Sequence, residues 1–197
     1  MSEKKLKRKV IRISMLGDST VGKTSIINVF LNREFSNDVL SNIGVDKNET
    51  KMTMPDGKEM KLIIWDTAGQ ERFHSIATNT IKNCQGIVVT FDLTNRKSFD
   101  NVVRWLGDIR EYNESIPIIL FGNKSDLIEK RVVKGEEAEE FSSKNNLDYF
   151  ETSAKNNTNI AEGFRKIAEQ AYVKAGGTIG MELKKGQKEK EGKGRKC

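Results

Sequence analysis

Eight residues constrain this 197-residue chain more than any others: Gly17-Asp18-Ser19-Thr20-Val21-Gly22-Lys23-Thr24. They follow a β-rich run, Val10 to Leu16. They lead into a segment, Thr24 to Phe35, in which Ile26, Ile27, Phe30 and Leu31 form an apolar stripe at helical spacing. A strand, the pattern G-x-x-x-x-G-K-[ST] and then a helix spell a phosphate-binding loop. Glycines let the backbone wrap an anion, and successive N–H groups at the helix N-terminus hold its charge. Asp18 through Ser25 are therefore candidate phosphate ligands. Lys23 is placed to reach the β- and γ-phosphates, and the Thr24 hydroxyl to ligate Mg²⁺. The loop alone does not select a nucleotide.

The rest of the chain alternates strands with helices. Lys51 to Met54 and Lys58 to Trp65 flank Pro55-Asp56-Gly57, which predicts a hairpin. Gly86 to Asp92 is a continuous apolar run, as a strand covered on both faces should be. Phe99, Val102, Val103, Leu106 and Ile109 then recur at helical spacing, and Pro117 to Phe121 is a second buried strand. A helix over Gly135 to Asn145, a short strand over Asp148 to Glu151 and a helix marked by Ile160, Phe164, Ile167, Ala168, Ala171 and Tyr172 complete the pattern. This βα alternation with one hairpin predicts an α/β fold: a mostly parallel sheet with one antiparallel edge strand and helices on both faces.

Asn123-Lys124-Ser125-Asp126 follows the second buried strand, at the carboxyl end where open α/β sheets bind ligands. A carboxylate that accepts two hydrogen bonds selects guanine, which offers N1–H and a 2-amino group; adenine offers neither. An unpaired buried acceptor is costly, so Asp126 is the discriminating residue. Lys124 can lay its stem along the base. Asp66-Thr67-Ala68-Gly69-Gln70 follows the strand ending at Trp65. Asp66 can hold Mg²⁺ through water, Gly69 can offer its N–H to the γ-phosphate, and Gln70 can orient an attacking water. Gln70 and Lys23 are the candidate catalytic residues.

The net charge of +6 is concentrated at the ends. Residues 1–9 carry five basic and one acidic side chain, and residues 181–197 carry seven and three. A nucleic-acid module would more typically place its basic excess on a folded face with aromatics, so no nucleic-acid partner is expected. Basic tails fit an anionic membrane surface, and they equally fit a role in solubility. Two cysteines, Cys84 and Cys197, cannot build a disulfide framework, and no apolar run is long enough to span a bilayer. Cys84 reads as a packing residue, and the single histidine, His74, as a solvated one.

Taken with these motifs, the chain resembles the small GTPases of the Ras superfamily, and among them the Rab branch. G-D-S-x-V-G-K-T, Ile43-Gly44-Val45-Asp46, W-D-T-A-G-Q-E-R-F, the run from Gly122 to Leu127 and Glu151-Thr152-Ser153-Ala154-Lys155 occur in the family's order. The resemblance spans roughly residues 10–174. It implies a P-loop NTPase with a six-stranded sheet and five helices, a GDP/GTP cycle with Mg²⁺, and slow GTP hydrolysis. It also implies a monomer that meets an exchange factor, a GTPase-activating protein and effectors through its switch regions, in vesicle traffic on the cytosolic face of intracellular membranes. Phe35 matches the aromatic that packs on guanine, and Ser153, Ala154 and Lys155 match the third base-contacting loop. The chain divides into a basic extension (1–9), a GTPase domain (10–175) and a flexible basic tail (176–197).

The departures lie in the switch regions. Where the family has threonine before I-G-V-D, this chain has Asn42. Its amide oxygen is a possible Mg²⁺ ligand but reaches one atom further out, so weaker ordering by GTP is expected; substitution without consequence is the alternative. The family's recognition aromatics survive only at Trp65, with Lys47 and Thr80 at the other two positions. Arg33, the basic residue nearest before Asn42, reads as a helix-terminal charge. Cys197 resembles a prenylation site, although one terminal cysteine is fewer than the family usually has. One lipid binds marginally, so the basic tail would supply a second signal; an ordinary exposed thiol is the alternative. A nucleotide-binding interaction module that no longer switches remains a second reading, and an ATP-using enzyme is disfavoured by Asp126.

Overall fold

The computed structural model describes residues 10–32, 45–67 and 74–178, and for residues 45 and 74–78 only the backbone. Phe35, Asn42, Gly69, Gln70 and Cys197 lie outside the described residues, as does Arg33. The elements run β1 (Val10–Leu16), α1 (Lys23–Phe30), β2 (Val45–Thr53), β3 (Glu59–Thr67), α2 (His74–Asn83), β4 (Gly86–Asp92), α3 (Arg96–Asp100), α4 (Val102–Tyr112), β5 (Ile118–Asn123), α5 (Gly135–Lys144), β6 (Asp148–Glu151) and α6 (Ile160–Lys174). The strands form one sheet in the order β2-β3-β1-β4-β5-β6, with only the β2–β3 pairing antiparallel. The expected six-stranded α/β architecture is the observed one.

Alternate residues of the central strands feed two separate cores, because successive side chains leave a strand on opposite faces. Ile11, Ile13 and Met15 of β1 and Val88 of β4 pack with Ile26 and Ile27 of α1 and with Phe164, Ile167 and Tyr172 of α6. Leu16, Ile87, Val89 and Phe91 point the other way, against Ile81 of α2, Val102, Leu106 and Ile109 of α4 and Ala138 of α5. All seven residues of β4 are buried, which is why its sequence shows no alternation. All six apolar positions read in α6 are buried. Among the described residues no helix is long and apolar enough to cross a membrane.

Several boundaries depart from the sequence reading. The first helix stops at Phe30 rather than Phe35. Asn32 adopts φ 56°, a left-handed conformation that asparagine tolerates and a helix cannot continue through. β2 starts at Val45, six residues before the expected Lys51, and pairs along its length with β3, from Val45 opposite Thr67 to Thr53 opposite Glu59. Its first half shows no apolar alternation because it is a polar edge strand. Lys47 pairs with Glu49 at 2.6 Å, Glu49 also meets Lys61, and Lys51 pairs with Glu59 at 2.9 Å. At the other end, β3 and β5 extend to Thr67 and Asn123, so Asp66 and Asn123 are rigid strand-end residues rather than loop residues.

Among the described residues six α-helices stand where the resemblance implied five, because the third is divided at Asn101. The hydrogen bonds continue through the break, from Asn101 N–H to the Lys97 carbonyl and from Trp105 N–H to the Asn101 carbonyl. Past it, Val103 is 62% exposed and Trp105 takes the buried place instead, as the spacing of 102, 105, 106 and 109 requires. Beyond α6, the N–H groups of Gly176 (φ 89°) and Gly177 bond back to Val173 and Tyr172 and close the helix. The hairpin docks on α6, where the Tyr172 hydroxyl donates to Asp56 at 2.6 Å.

Candidate functional site

The parallel register gathers the candidate site residues at one edge of the sheet. Met15 is level with Asp66, Leu16 with Val89, and Asp92 with Asn123, so the carboxyl ends of β1, β3, β4 and β5 share a rim. The chain leaves β1 toward β3 on one side and later returns to β4 on the other. Gly17 thus sits at the switch point where such sheets bind ligands.

Gly17 has φ 135°, and a Cβ there would stand 2.1 Å from the Thr90 carbonyl oxygen. Gly22, at φ 99°, precedes α1; a Cβ there would stand 2.3 Å from Asn123 Nδ2. No side chain caps α1 and its first turn holds no acidic residue, so the positive end of its dipole faces the loop unneutralised. Between the glycines, Ser19 and Thr20 are exposed and Val21 is buried. Thr20 holds φ 65°, a strained value for a β-branched residue. Lys23 is buried, and its ammonium donates to the carbonyls of Gly17 at 2.8 Å and Asp18 at 2.7 Å. Burial pushes its pKa down to about 8, against the opposing pull of Asp66 and Asp18. Thr24 Oγ1 donates to Asp66 Oδ2 at 2.5 Å, and Ser25 is half-buried in the same turn. Thr67 Oγ1 donates to the Met15 carbonyl at 2.6 Å, tying the end of β3 to β1 beside the loop.

Asn123 joins the two halves of the site. Its Nδ2 donates to the Val21 carbonyl at 2.8 Å, while its Oδ1 accepts from the Ala154 N–H at 3.3 Å and Thr152 Oγ1 at 3.4 Å. Ser153 Oγ donates to Asp126 Oδ1 at 2.6 Å and accepts from the Asn156 N–H at 3.0 Å, which orients the carboxylate. Lys124, at φ 66°, sends its ammonium 2.6 Å from Asp92 Oδ2. Lys155 is exposed at the rim. Behind this loop Arg131 grips Glu151 with two bonds of 2.7 and 2.6 Å, which hold the Glu151 carboxyl below its ordinary pKa.

The family model for the Ras family matches residues 12–173. This chain belongs to the Ras family. It is 42% identical over 166 residues to the Ras-related protein Rab-10 of Diplobatis ommata, covering 84% of this chain and 82% of that protein. It is 38% identical over 169 residues to the Ras-related protein Rab-13 of Canis lupus familiaris (85% and 83% covered), and 41% identical over 159 residues to the GTP-binding protein ypt3 of Schizosaccharomyces pombe (80% and 74%). The chain is a small GTPase of the Rab branch, and its enzyme class is GTP hydrolysis.

Sequence reading missed part of this GTPase's site. Asp92, Arg131 and Asn101 carry no motif of their own; they matter through partners 20 to 83 residues away. Thr80, expected on a recognition surface, is instead buried beside Ile81, so that position offers a partner little side chain. Lys47 is held in the ion-paired ladder beside Trp65. Cys84 is buried, and burial pushes its thiol up to about 12, as befits a packing residue.

Proposed function

We propose that this GTPase is a guanine-nucleotide-dependent switch that binds GDP and GTP with Mg²⁺, hydrolyses GTP slowly and serves intracellular vesicle traffic. The observation that carries the reading is Asn123, whose amide joins the phosphate loop at Val21 to the loop of Ser153 and Ala154. A phosphate cradle and a base-selecting carboxylate thereby become one cleft. Asp18 through Ser25 hold the phosphates, Lys23 neutralises the transferred group, and Asp126, Asn123, Lys124, Ser153, Ala154 and Lys155 surround guanine. Thr24 and Asp66 bring hard oxygen donors, the set Mg²⁺ prefers; they would hold the ion, which would supply positive charge against the phosphates. Phe35, Asn42, Gly69 and Gln70 complete the scheme from the sequence: Phe35 at the base, Asn42 at the metal, Gly69 at the γ-phosphate and Gln70 orienting water.

Exchange factors, activating proteins and effectors act through the switch regions, and the cytosolic face of a membrane is reached through Cys197 and the basic tail. The protein acts as a monomer without nucleic acid. Its partners differ from those of relatives because Lys47 and Thr80 replace aromatics. Single-turnover hydrolysis of GTP tests the enzyme reading: wild type should turn over slowly and Gln70→Leu far more slowly. Equal rates would leave a nucleotide-binding module without hydrolysis. Affinities for GDP and a non-hydrolysable GTP analogue with and without Mg²⁺ test Asn42, since Asn42→Thr should strengthen only the analogue.

Lys23 adds a pH signature. Its free-state pKa of about 8 rises when an anion binds, so binding above pH 8 takes up a proton. Affinity is therefore complete below pH 8 and falls as pH rises through it. Calorimetry of GDP binding at pH 8.5 in buffers of different ionisation enthalpy should register on the order of half a proton or more taken up. No uptake would contradict the role given to Lys23.

A further inference from the structure

Asp18 places a carboxylate inside a loop built for anionic phosphates, where an unrestrained negative charge would repel the ligand. The fold deals with it from a single helix. Asp18 Oδ2 accepts from Asn101 Nδ2 at 2.6 Å, and Oδ1 accepts from the Trp105 indole N–H at 3.0 Å, with the Arg104 guanidinium 3.7 Å away. Asn101 stands at the break between α3 and α4, one turn before Trp105. The main-chain carbonyl of Asp18, meanwhile, accepts from Lys23 at 2.7 Å. One residue thus ties the first turn of α4 to the lysine of the phosphate loop.

We propose that Asn101, Arg104 and Trp105 are positioning residues that set how long the nucleotide stays bound. This rests on the guanine-nucleotide reading above. The bracket holds the Asp18 carboxylate away from the phosphates and holds its carbonyl where Lys23 needs it. Without the bracket the loop opens more readily, and the freed carboxylate competes with the phosphates for Lys23. Both effects speed release.

The test follows release of a fluorescent GDP analogue, with Mg²⁺ present, from Trp105→Phe, Asn101→Ala, Asp18→Asn and the double variants, alongside their melting temperatures. A hydrogen bond to a charged group has an effect on the order of tenfold, so Trp105→Phe and Asn101→Ala should each release about tenfold faster. In the Asp18→Asn background either change should add markedly less than in the wild type, because the carboxylate that both groups restrain is already gone. Ile109→Val trims a buried residue of the same helix and should lower the melting temperature without speeding release. Wild-type release rates in the bracket variants, independent effects in the Asp18→Asn background, or equal acceleration by Ile109→Val would each overturn the proposal while sparing guanine binding. A wild type that does not bind the analogue at all would overturn both.

Discussion

Asp126→Ala will lower the affinity for GDP by about three orders of magnitude and abolish the preference for GTP over ATP. On the proposed reading the carboxylate accepts from two donors that only guanine presents, and a site with matched hydrogen bonds rejects a ligand lacking them far more strongly than any apolar pocket can. Ser153 holds Asp126 Oδ1 at 2.6 Å and is itself fixed by the Asn156 N–H, so the acceptor is oriented in advance. Ser153→Ala should accordingly cost a smaller factor, about tenfold, by loosening the carboxylate rather than removing it. Competition of GTP and ATP against a fluorescent GDP analogue measures both. A GTP-to-ATP ratio unmoved by Asp126→Ala would mean that the base is selected elsewhere.

Gly17→Ala will destabilise the fold itself, whether or not a nucleotide is present. Its Cβ would lie 2.1 Å from the Thr90 oxygen and 3.1 Å from the Thr90 carbonyl carbon, and these are main-chain atoms of a buried central strand that cannot swing aside. The residue also sits at φ 135°, where an L side chain is strained. A cost of about 3 kcal/mol or more is expected, against a total of about 5–15 for a typical domain. That corresponds to a drop in melting temperature of roughly 6–12 °C. Gly107→Ala supplies the contrast: it lies in α4 with nothing within 4 Å of a new Cβ, so it should stabilise by about 0.5–1 kcal/mol. Equal effects at the two glycines, by calorimetry or denaturant unfolding, would refute the steric account.

Much of the fold was legible because it is written at short range. The two-faced burial of β4, the helical stripe of α6 and the turn at Asp56 and Gly57 each follow from spacings of a few residues. The departures have separate causes. The start of β2 is hidden because Glu49 and Lys51 satisfy the edge in cross-strand ion pairs with Lys61 and Glu59 while Lys47 pairs with Glu49 along the strand, which no apolar period reveals. Val103 stands among the apolar residues at helical spacing, yet the helical angle puts it outside and seats Trp105 in the core.

By itself, the sequence determined which chemical groups the candidate site holds: a glycine-flanked loop ending in Lys23 and Thr24 and carboxylates at Asp66 and Asp126, each within a motif of eight residues or fewer. Those motifs are local because backbone wrapping and hydrogen-bond matching act over a few bonds. Only the tertiary structure decided how the motifs hold one another. Asn123 reaches Val21 across 102 residues, Trp105 reaches Asp18 across 87, and Thr80 turns inward. Such pairings depend on strand register and on how helices seat against the sheet. No residue spacing along the chain encodes them, so the carboxylate of Asp18 found its partners only once the chain had folded.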